Sequence, residues 1–404
     1  YYSFTGGVIF SELLNLKNDY FTYGKIRGNW ARVGKDTNPY KLSPSFTIKS
    51  TLPDPGYAID PTLAYGINVL PEMTDSWEIG TDLRFFKNRT VLDVAYYSTV
   101  VDNQIVTVRV SPAAGSILQV RNEGTIKNHG LELGLSQDII KKKDIGWNAK
   151  VNFSFNRGKV IKLPDQLTEL QGTQYGDIFP TAYLNGSTTS ISGLDYLRDS
   201  LGRVIINESG YPKINPAKGN LIGNREPDFL VGLLNTFNYK NFTLSFMFDT
   251  RKGGDVANIT GRSLLGNGMS KFHEIYRNRE FIFDGVVQRA DGSYVQNTTP
   301  VILNQQTINT YINNVSSNFI EDGSYIRLSY VTLAYDFSKL VRGSFIKGLN
   351  ASFTGRNLLL LTKYTGSDPQ INADVSSGGS GAMGIDNFGV PTTRNFNFTL
   401  TATF

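Results

Sequence analysis

The chain has 404 residues, of which 19% are charged and 12% aromatic, with a slightly negative mean hydropathy and no cysteine. No run of about 18 apolar residues occurs, so no helix is expected to cross a membrane, and disulfides and thiolate metal sites are excluded. The net charge of +5 comes from scattered Lys and Arg apart from Lys141-Lys142-Lys143, a solvated turn and not a nucleic-acid stripe. Tyr1 opens directly in Tyr-Tyr-Ser-Phe-Thr without an initiator Met or an apolar leader, so further sequence is expected upstream.

In chain order the dominant signal is period-2 alternation, the signature of strands with one apolar face. Trp77, Ile79, Leu83 and Phe85 oppose Glu78, Gly80, Asp82 and Arg84. Leu131, Leu133 and Leu135 oppose Glu132, Gly134 and Ser136; Val151, Phe153 and Phe155 oppose Asn152, Ser154 and Asn156. Phe242, Leu244, Phe246 and Phe248 alternate with Thr243, Ser245, Met247 and Asp249, and Leu349, Ala351 and Phe353 with Asn350, Ser352 and Thr354. Phe396, Phe398, Leu400, Ala402 and Phe404 alternate with Asn and Thr. Strands are expected near 1–11, 20–36, 74–87, 89–105, 121–138, 145–161, 225–239, 240–252, 319–338, 347–360 and 389–404. Within 319–338 the apolar phase slips between Leu328 and Val331, which predicts a β-bulge near Tyr330.

Short turns such as Lys87-Asn88-Arg89 and Tyr239-Lys240-Asn241 alternate with long polar stretches near 37–73, 106–120, 162–224, 253–318 and 361–388. That asymmetry is the pattern of an outer-membrane barrel with its long loops outside the cell. The expected fold is all-β: a transmembrane antiparallel β-barrel, residues 1–404 supplying about eleven strands. Alternation alone does not say which face is inside. A wide lumen is wet, however, and accepts Glu78, Asp82, Arg84 and Asp249. An odd strand number suits the C-terminal half of a barrel of ~22 strands, the size of plugged transporters. Asp291-Gly292 predicts a tight hairpin between Val286-Val287-Gln288 and Ser293-Tyr294-Val295. The spacing of Val256 to Leu265 and Ser270 to Phe281 is helix-compatible.

Several separated segments resemble the SusC/RagA family of TonB-dependent outer-membrane transporters. They are Leu70-Pro71-Glu72-Met73 with Ser76-Trp77-Glu78-Ile79-Gly80-Thr81-Asp82; Arg121-Asn122-Glu123-Gly124 leading to Asn128-His129-Gly130; Gly223-Asn224-Arg225-Glu226-Pro227-Asp228; Arg251-Lys252-Gly253-Gly254-Asp255; Glu321-Asp322-Gly323-Ser324-Tyr325; Gly355-Arg356-Asn357-Leu358; and Tyr364-Thr365-Gly366-Ser367-Asp368-Pro369. The resemblance implies energy-dependent import of a nutrient, mostly oligosaccharides and in some members peptides. It implies a SusD-like surface lipoprotein as partner, TonB acting through an upstream plug, and the barrel-assembly machinery recognising Phe396, Phe398, Leu400 and Phe404. It implies no cofactor.

The candidate site residues follow. Glu78, Asp82, Arg84 and Asp249 are expected on the lumen face toward a plug. Glu78 and Asp82, roughly 13 Å apart on one strand, are too distant for a glycosidase pair. Tyr175, Tyr183, Asp195, Tyr196 and Arg198 of the long loop 162–224 are the candidates for a ligand, because aromatic faces beside polar groups suit sugars and also peptides. Phe272, Ile275 and Tyr276 are the candidates for contact with the lipoprotein. His129 and His273 are isolated, so no metal site is expected, and no nucleophile-elbow motif suggests an enzyme.

Overall fold

The computed structural model describes residues 1–404 except 37–45, 51–54, 60–62, 65–68, 110, 112, 114–117, 165–166, 173, 218, 342, 344 and 371–382. The expected loops near 37–73, 106–120 and 361–388 therefore lie partly outside the described residues. Eleven long strands form one sheet in chain order. They are β1 (Tyr2–Val8), β2 (Phe21–Lys35), β3 (Glu72–Phe85), β4 (Thr90–Asp102), β5 (Thr125–Lys141), β6 (Ile145–Lys162), β7 (Pro227–Tyr239), β8 (Phe242–Gly253), β9 (Tyr325–Asp336), β10 (Gly348–Thr362) and β11 (Asn395–Thr403). β1 to β4 and β7 to β11 pair antiparallel with their neighbours. Each expected strand has its counterpart, though the one placed at 319–338 divides into Ile320–Asp322 and β9.

The short turns come from residues that accept a left-handed backbone. Phe86, Lys87 and Asn88 all have positive φ, as does Lys240 in the two-residue connection from Tyr239 to Phe242. Such turns match the twist of the strands they join. The bulge is at Ser329: Leu328 pairs with Phe248 and Tyr330 with Met247, leaving Ser329 unmatched. The extra residue restores the apolar phase to Val331 and Leu333 and turns the Ser329 hydroxyl onto Asp249.

The chain divides into two compact units, Tyr1–Ser136 with Ser154–Leu170 and Ala182–Thr188, and Gln137–Phe153 with Gln171–Thr181 and Thr189–Phe404. In the first, Ile26, Trp30, Trp77, Ile79 and Tyr96 are all exposed on one face, with Phe4 stacked on Trp30 at 5.9 Å and Trp77 against Tyr96 at 5.6 Å. In the second, Leu244, Leu333, Phe353, Leu361 and Phe398 are exposed likewise. A water-soluble sheet buries its apolar face. Here that face is bare over strand after strand, an area far beyond what monomers leave in water. The medium against it must be apolar, and the alternation left open by the sequence is thereby settled: apolar side out, polar side in.

The long connections of the second unit are not open polar loops. Their described residues fold into a layer with short strands, three α-helices, a π-helical and a 3-10 turn, and two apolar cores. One core joins Ile178, Ile191, Ala257, Ile259 and Ile385, drawn from four separate stretches of chain. The other joins Ile206, Leu265, Phe283, Val301, Leu303, Ile308 and Phe319. Each fully buried Ile or Leu contributes roughly 1.5–3 kcal/mol, so the layer is held by its own interior. The expected Asp291-Gly292 hairpin is present, Val286–Gln288 pairing with Tyr294–Gln296 and Gly292 at φ 84°. The helical spacing is realised only in part. Of the helices, α1 (Phe10–Leu13) follows β1, while α2 (Ile259–Gly266), α3 (Lys271–Tyr276) and α4 (Gln305–Ile308) belong to the layer. Asp255–Asn258 and Glu280–Phe281 are strands instead. The Asn258 side chain caps α2 by accepting from Gly261 N at 2.7 Å, and Asn304 with Thr307 forms a capping box on α4.

Candidate functional site

The polar face of the first unit centres on Arg27 of β2. Asp82 and Asp93 stand directly opposite each other on β3 and β4, a like-charge pair that is unfavourable alone. Arg27 Nη1 donates to Asp82 at 2.6 Å, and Nη1 and Nη2 donate to the two oxygens of Asp93 at 3.0 Å each. Arg27 Nε lies 3.7 Å from Glu78. Glu78 and Asp82, read from the sequence as separated carboxylates, are thus drawn to one guanidinium. Gly80 permits this: it faces Arg27 across the strands, and a Cβ there would meet Arg27 Cζ at 2.8 Å. Arg84 lies over the Tyr23 ring at 5.0 Å, a cation–π contact.

On the polar face of the second unit, residues 363–370 leave β10 as a strap folded back over β9. Arg327 Nη2 donates to Asp368 Oδ1 at 2.7 Å, with side-chain exposures of 6% and 2%. Asp368 also accepts from Thr392 Oγ1 at 2.6 Å and Gln370 N at 2.9 Å. Gln370 Nε2 in turn donates to the Tyr325 hydroxyl. Higher on the strap, Tyr364 donates to Asp386 Oδ2 at 2.6 Å, and Thr260 of α2 donates to Asp386 Oδ1 at 2.8 Å. Burial first, then the Asp386 carboxylate, hold the Tyr364 phenol well above its ordinary range and keep it neutral. Glu321 accepts from Thr365 N at 2.7 Å and from Asn258 Nδ2 at 2.8 Å. Three carboxylates thus tie the strap to the sheet and to the N-terminus of α2.

The residues expected to hold a ligand are divided between the two units. Asp195 accepts from Nε and Nη2 of Arg198 at 3.1 Å each and from Ser317 Oγ at 2.6 Å. Burial works against its charge, but Arg198 and Ser317 outweigh it and hold the carboxyl below its usual range. Tyr196 donates to Tyr311 O at 2.7 Å and accepts from Asn318 Nδ2 at 2.8 Å, and its burial raises its pKa. Tyr175 packs against the first apolar core. Tyr183 belongs to the first unit and is half-buried. Phe272 and Tyr276 pack on the second core, and only Ile275 of the expected partner-contacting trio is exposed. Asp249 accepts from Ser329. Phe396, Phe398, Leu400 and Phe404 are exposed along the last strand. Arg27, Asp93, Arg327 and Asp368 are the polar-face residues that the sequence reading did not single out.

A family described as TonB dependent receptor-like, beta-barrel, matches residues 3–358. The chain belongs to this family of outer-membrane β-barrels. Among curated relatives, TonB-dependent receptor P3 of Formosa agariphila is 25% identical over 367 residues, covering 83% of this chain and 34% of the relative. TonB-dependent receptor SusC of Bacteroides thetaiotaomicron is 20% identical over 385 residues, covering 87% of this chain and 36% of SusC. Among solved structures, the RagAB peptide transporter matches with a TM-score of 0.74 at 18% identity, over 100% of this chain and 43% of that one. The chain therefore has the C-terminal barrel fold of the SusC/RagA kind, as its motifs imply, and spans about a third of the length of these curated relatives. The exposed apolar face is the lipid face of an outer-membrane barrel, and the Arg27 and Arg327 clusters lie on its inner wall.

Proposed function

We propose that the chain is the C-terminal barrel part of a TonB-dependent importer that takes an oligosaccharide across the outer membrane. The observation that carries import is the inner wall, where charged side chains are arrayed over a sheet whose other face meets lipid. A wall that grips a plug uses such ion pairs, and the match to TonB-dependent receptor barrels favours that use over a passive pore. In this reading Glu78 and Asp82, held by Arg27, and Arg84, over Tyr23, face a plug, as does Asp249 at the bulge. The folded layer receives substrate from a SusD-like lipoprotein, with Ile275 as the contact on α3 and Phe272 and Tyr276 as the packing beneath it. Tyr175, Asp195, Tyr196 and Arg198 of the layer, and Tyr183 of the first unit, are the residues proposed to meet the ligand. The oligosaccharide preference follows the family, whose members also include peptide importers.

Isothermal titration of the full-length protein with its lipoprotein tests the substrate. Binding of oligosaccharides and not of short peptides is the expected result; binding of peptides alone overturns the preference. Conductance tests import itself. A plugged importer is nearly silent in a planar bilayer, whereas an open ohmic conductance from the full-length protein would establish a passive channel instead.

A further inference from the structure

The net charge of this chain is concentrated in the short connections between its long strands. The five short connections, residues 9–20, 86–89, 142–144, 240–241 and 337–347, hold nine Lys or Arg against three Asp or Glu. Their surplus of six exceeds the +5 of the whole chain, so everything else is close to neutral. In the second unit three of these connections lie side by side. Lys240 N donates to Asp144 O at 2.8 Å, Asp336 N to Asn241 O at 3.0 Å, and Lys339 Nζ to Asn241 Oδ1 at 3.2 Å. Between the first two is a cavity of about 230 Å³ whose lining includes Lys141, Lys142, Lys143 and Lys240 against Asp138 and Asp144, with Trp147. Lys141 is paired with Asp138 at 3.0 Å, and Lys240 lies over the Tyr239 ring at 5.4 Å. Lys142 and Lys143 have no ion pair among the described residues. Ile145 and Trp147 bring the cavity to the start of the lipid face, where Ile145 and Phe242 are exposed.

We propose that this cavity is a binding site for an anionic phospholipid, whose phosphate meets Lys142, Lys143 and Lys240 while its acyl chains lie along Ile145 and Phe242. The charge complementarity is what selects the occupant. A zwitterionic head group brings no net charge to a surplus of cations, whereas each basic side chain at an anionic lipid surface contributes about 1 kcal/mol, roughly fivefold in affinity. The aromatic ring of Trp147 and the exposed Tyr239 sit where amphipathic rings favour the boundary between head groups and hydrocarbon. The inference rests on the outer-membrane location and not on what the barrel imports.

The test is native mass spectrometry of the full-length protein released from detergent carrying equal amounts of phosphatidylglycerol and phosphatidylcholine. The expected result is preferential retention of phosphatidylglycerol at 0.1 M salt. The triple variant Lys142→Gln, Lys143→Gln, Lys240→Gln should lower that preference on the order of 100-fold, at roughly fivefold for each lysine, while the corresponding Lys→Arg triple keeps it. Heat-dependent gel mobility establishes that each variant is a folded barrel. The native protein supplies an independent arm. Its preference should collapse between 0.1 M and 1 M salt, as the screening length falls from about 10 Å to about 3 Å. Equal retention of the two lipids, a preference indifferent to salt, or an unchanged preference in the folded Gln variant would each overturn the site.

Discussion

Replacing Asp368 by Ala removes the acceptor on which three donors converge: Arg327 Nη2, Thr392 Oγ1 and Gln370 N. The guanidinium is left 6% exposed with no carboxylate, and its Nε already has no partner among the described residues. Breaking one side of a buried pair costs about 3–5 kcal/mol, because the remaining charge is neither solvated nor paired. The loss falls on the strap, whose attachment to β9 is this cluster together with Gln370 and Tyr325. Hydrogen exchange of the full-length protein in micelles reads it directly. Amides of residues 367–370 should exchange faster by about 10²–10⁴-fold, the equivalent of that cost, while residues 363–366 stay held by Glu321 and Asp386 and amides of β10 by their ladders to β9 and β11. The double variant Arg327→Met with Asp368→Leu provides the control. An apolar pair of similar volume is close to neutral, so strap protection should largely return. Exchange in Asp368→Ala within threefold of the native rate would refute the assignment of the pair as the lock. Exchange accelerated equally in the double variant would show that packing, not charge, holds the strap.

Arg27→Met leaves Asp82 and Asp93 facing each other, so unfolding in urea should shift to lower denaturant, and Asp82→Asn in the same chain should recover most of the loss. Tyr364→Phe removes a hydrogen bond to a buried carboxylate and should cost about 1.5–3 kcal/mol of local stability, read as faster exchange at residues 363–366 and 385–388. Asp195 has its carboxyl held below the unfolded value, so its contribution is present above about pH 4 and is lost as pH falls further through the folded pKa. Acid-induced loss of protection near residues 194–198 should therefore shrink in Asp195→Asn. Ile275→Asp places a charge on the exposed side of α3 without touching the core, and should reduce co-purification of the lipoprotein; undiminished co-purification removes α3 from the interface. The point substitution is sharper than deleting 262–285, which would also remove Leu265, Phe281 and Phe283 from the second core.

The eleven strands were legible because each meets two different media on its two faces. A strand with lipid on one side and water on the other must write that difference into nearly every second residue, and Trp77 to Phe85 or Phe242 to Asp249 do so with only Thr81 and Met247 out of pattern. Even the defect was readable: a one-residue slip between Leu328 and Val331 reverses the faces, and only a bulge reconciles them. The layer lacks such a signal. Its cores are assembled one residue at a time, Ile178 and Ile191 meeting Ile385 from about two hundred positions away in sequence, and its strands are too short for a period to develop. Ile205–Ile206 pairs in parallel with Val286–Val287 across 80 residues, a connection that no local pattern encodes. Polar composition then dominates the reading, and a packed layer looks like open loop.

The charged clusters on the inner wall divide in the same way. Glu78 and Asp82 were visible as charges on a polar face, but their common partner was not, since Arg27 is about fifty residues earlier and nothing in its own strand marks it. Two facts together would have exposed it. Once β3 and β4 are registered through the short turn at Lys87-Asn88, Asp82 falls opposite Asp93, and two carboxylates so placed demand a cation. Gly80, two residues before Asp82, is then the only neighbouring position on that face of β3 open enough to let a guanidinium cross. Register from the turn, repulsion from the pair and space from the glycine thus converge on one Arg of the preceding strand. No comparable route leads to Asp368, because its position over β9 depends on how a strap folds back and not on a ladder. What the sheet's own periodicity fixes can be deduced from sequence; what lies across the sheet has to be seen.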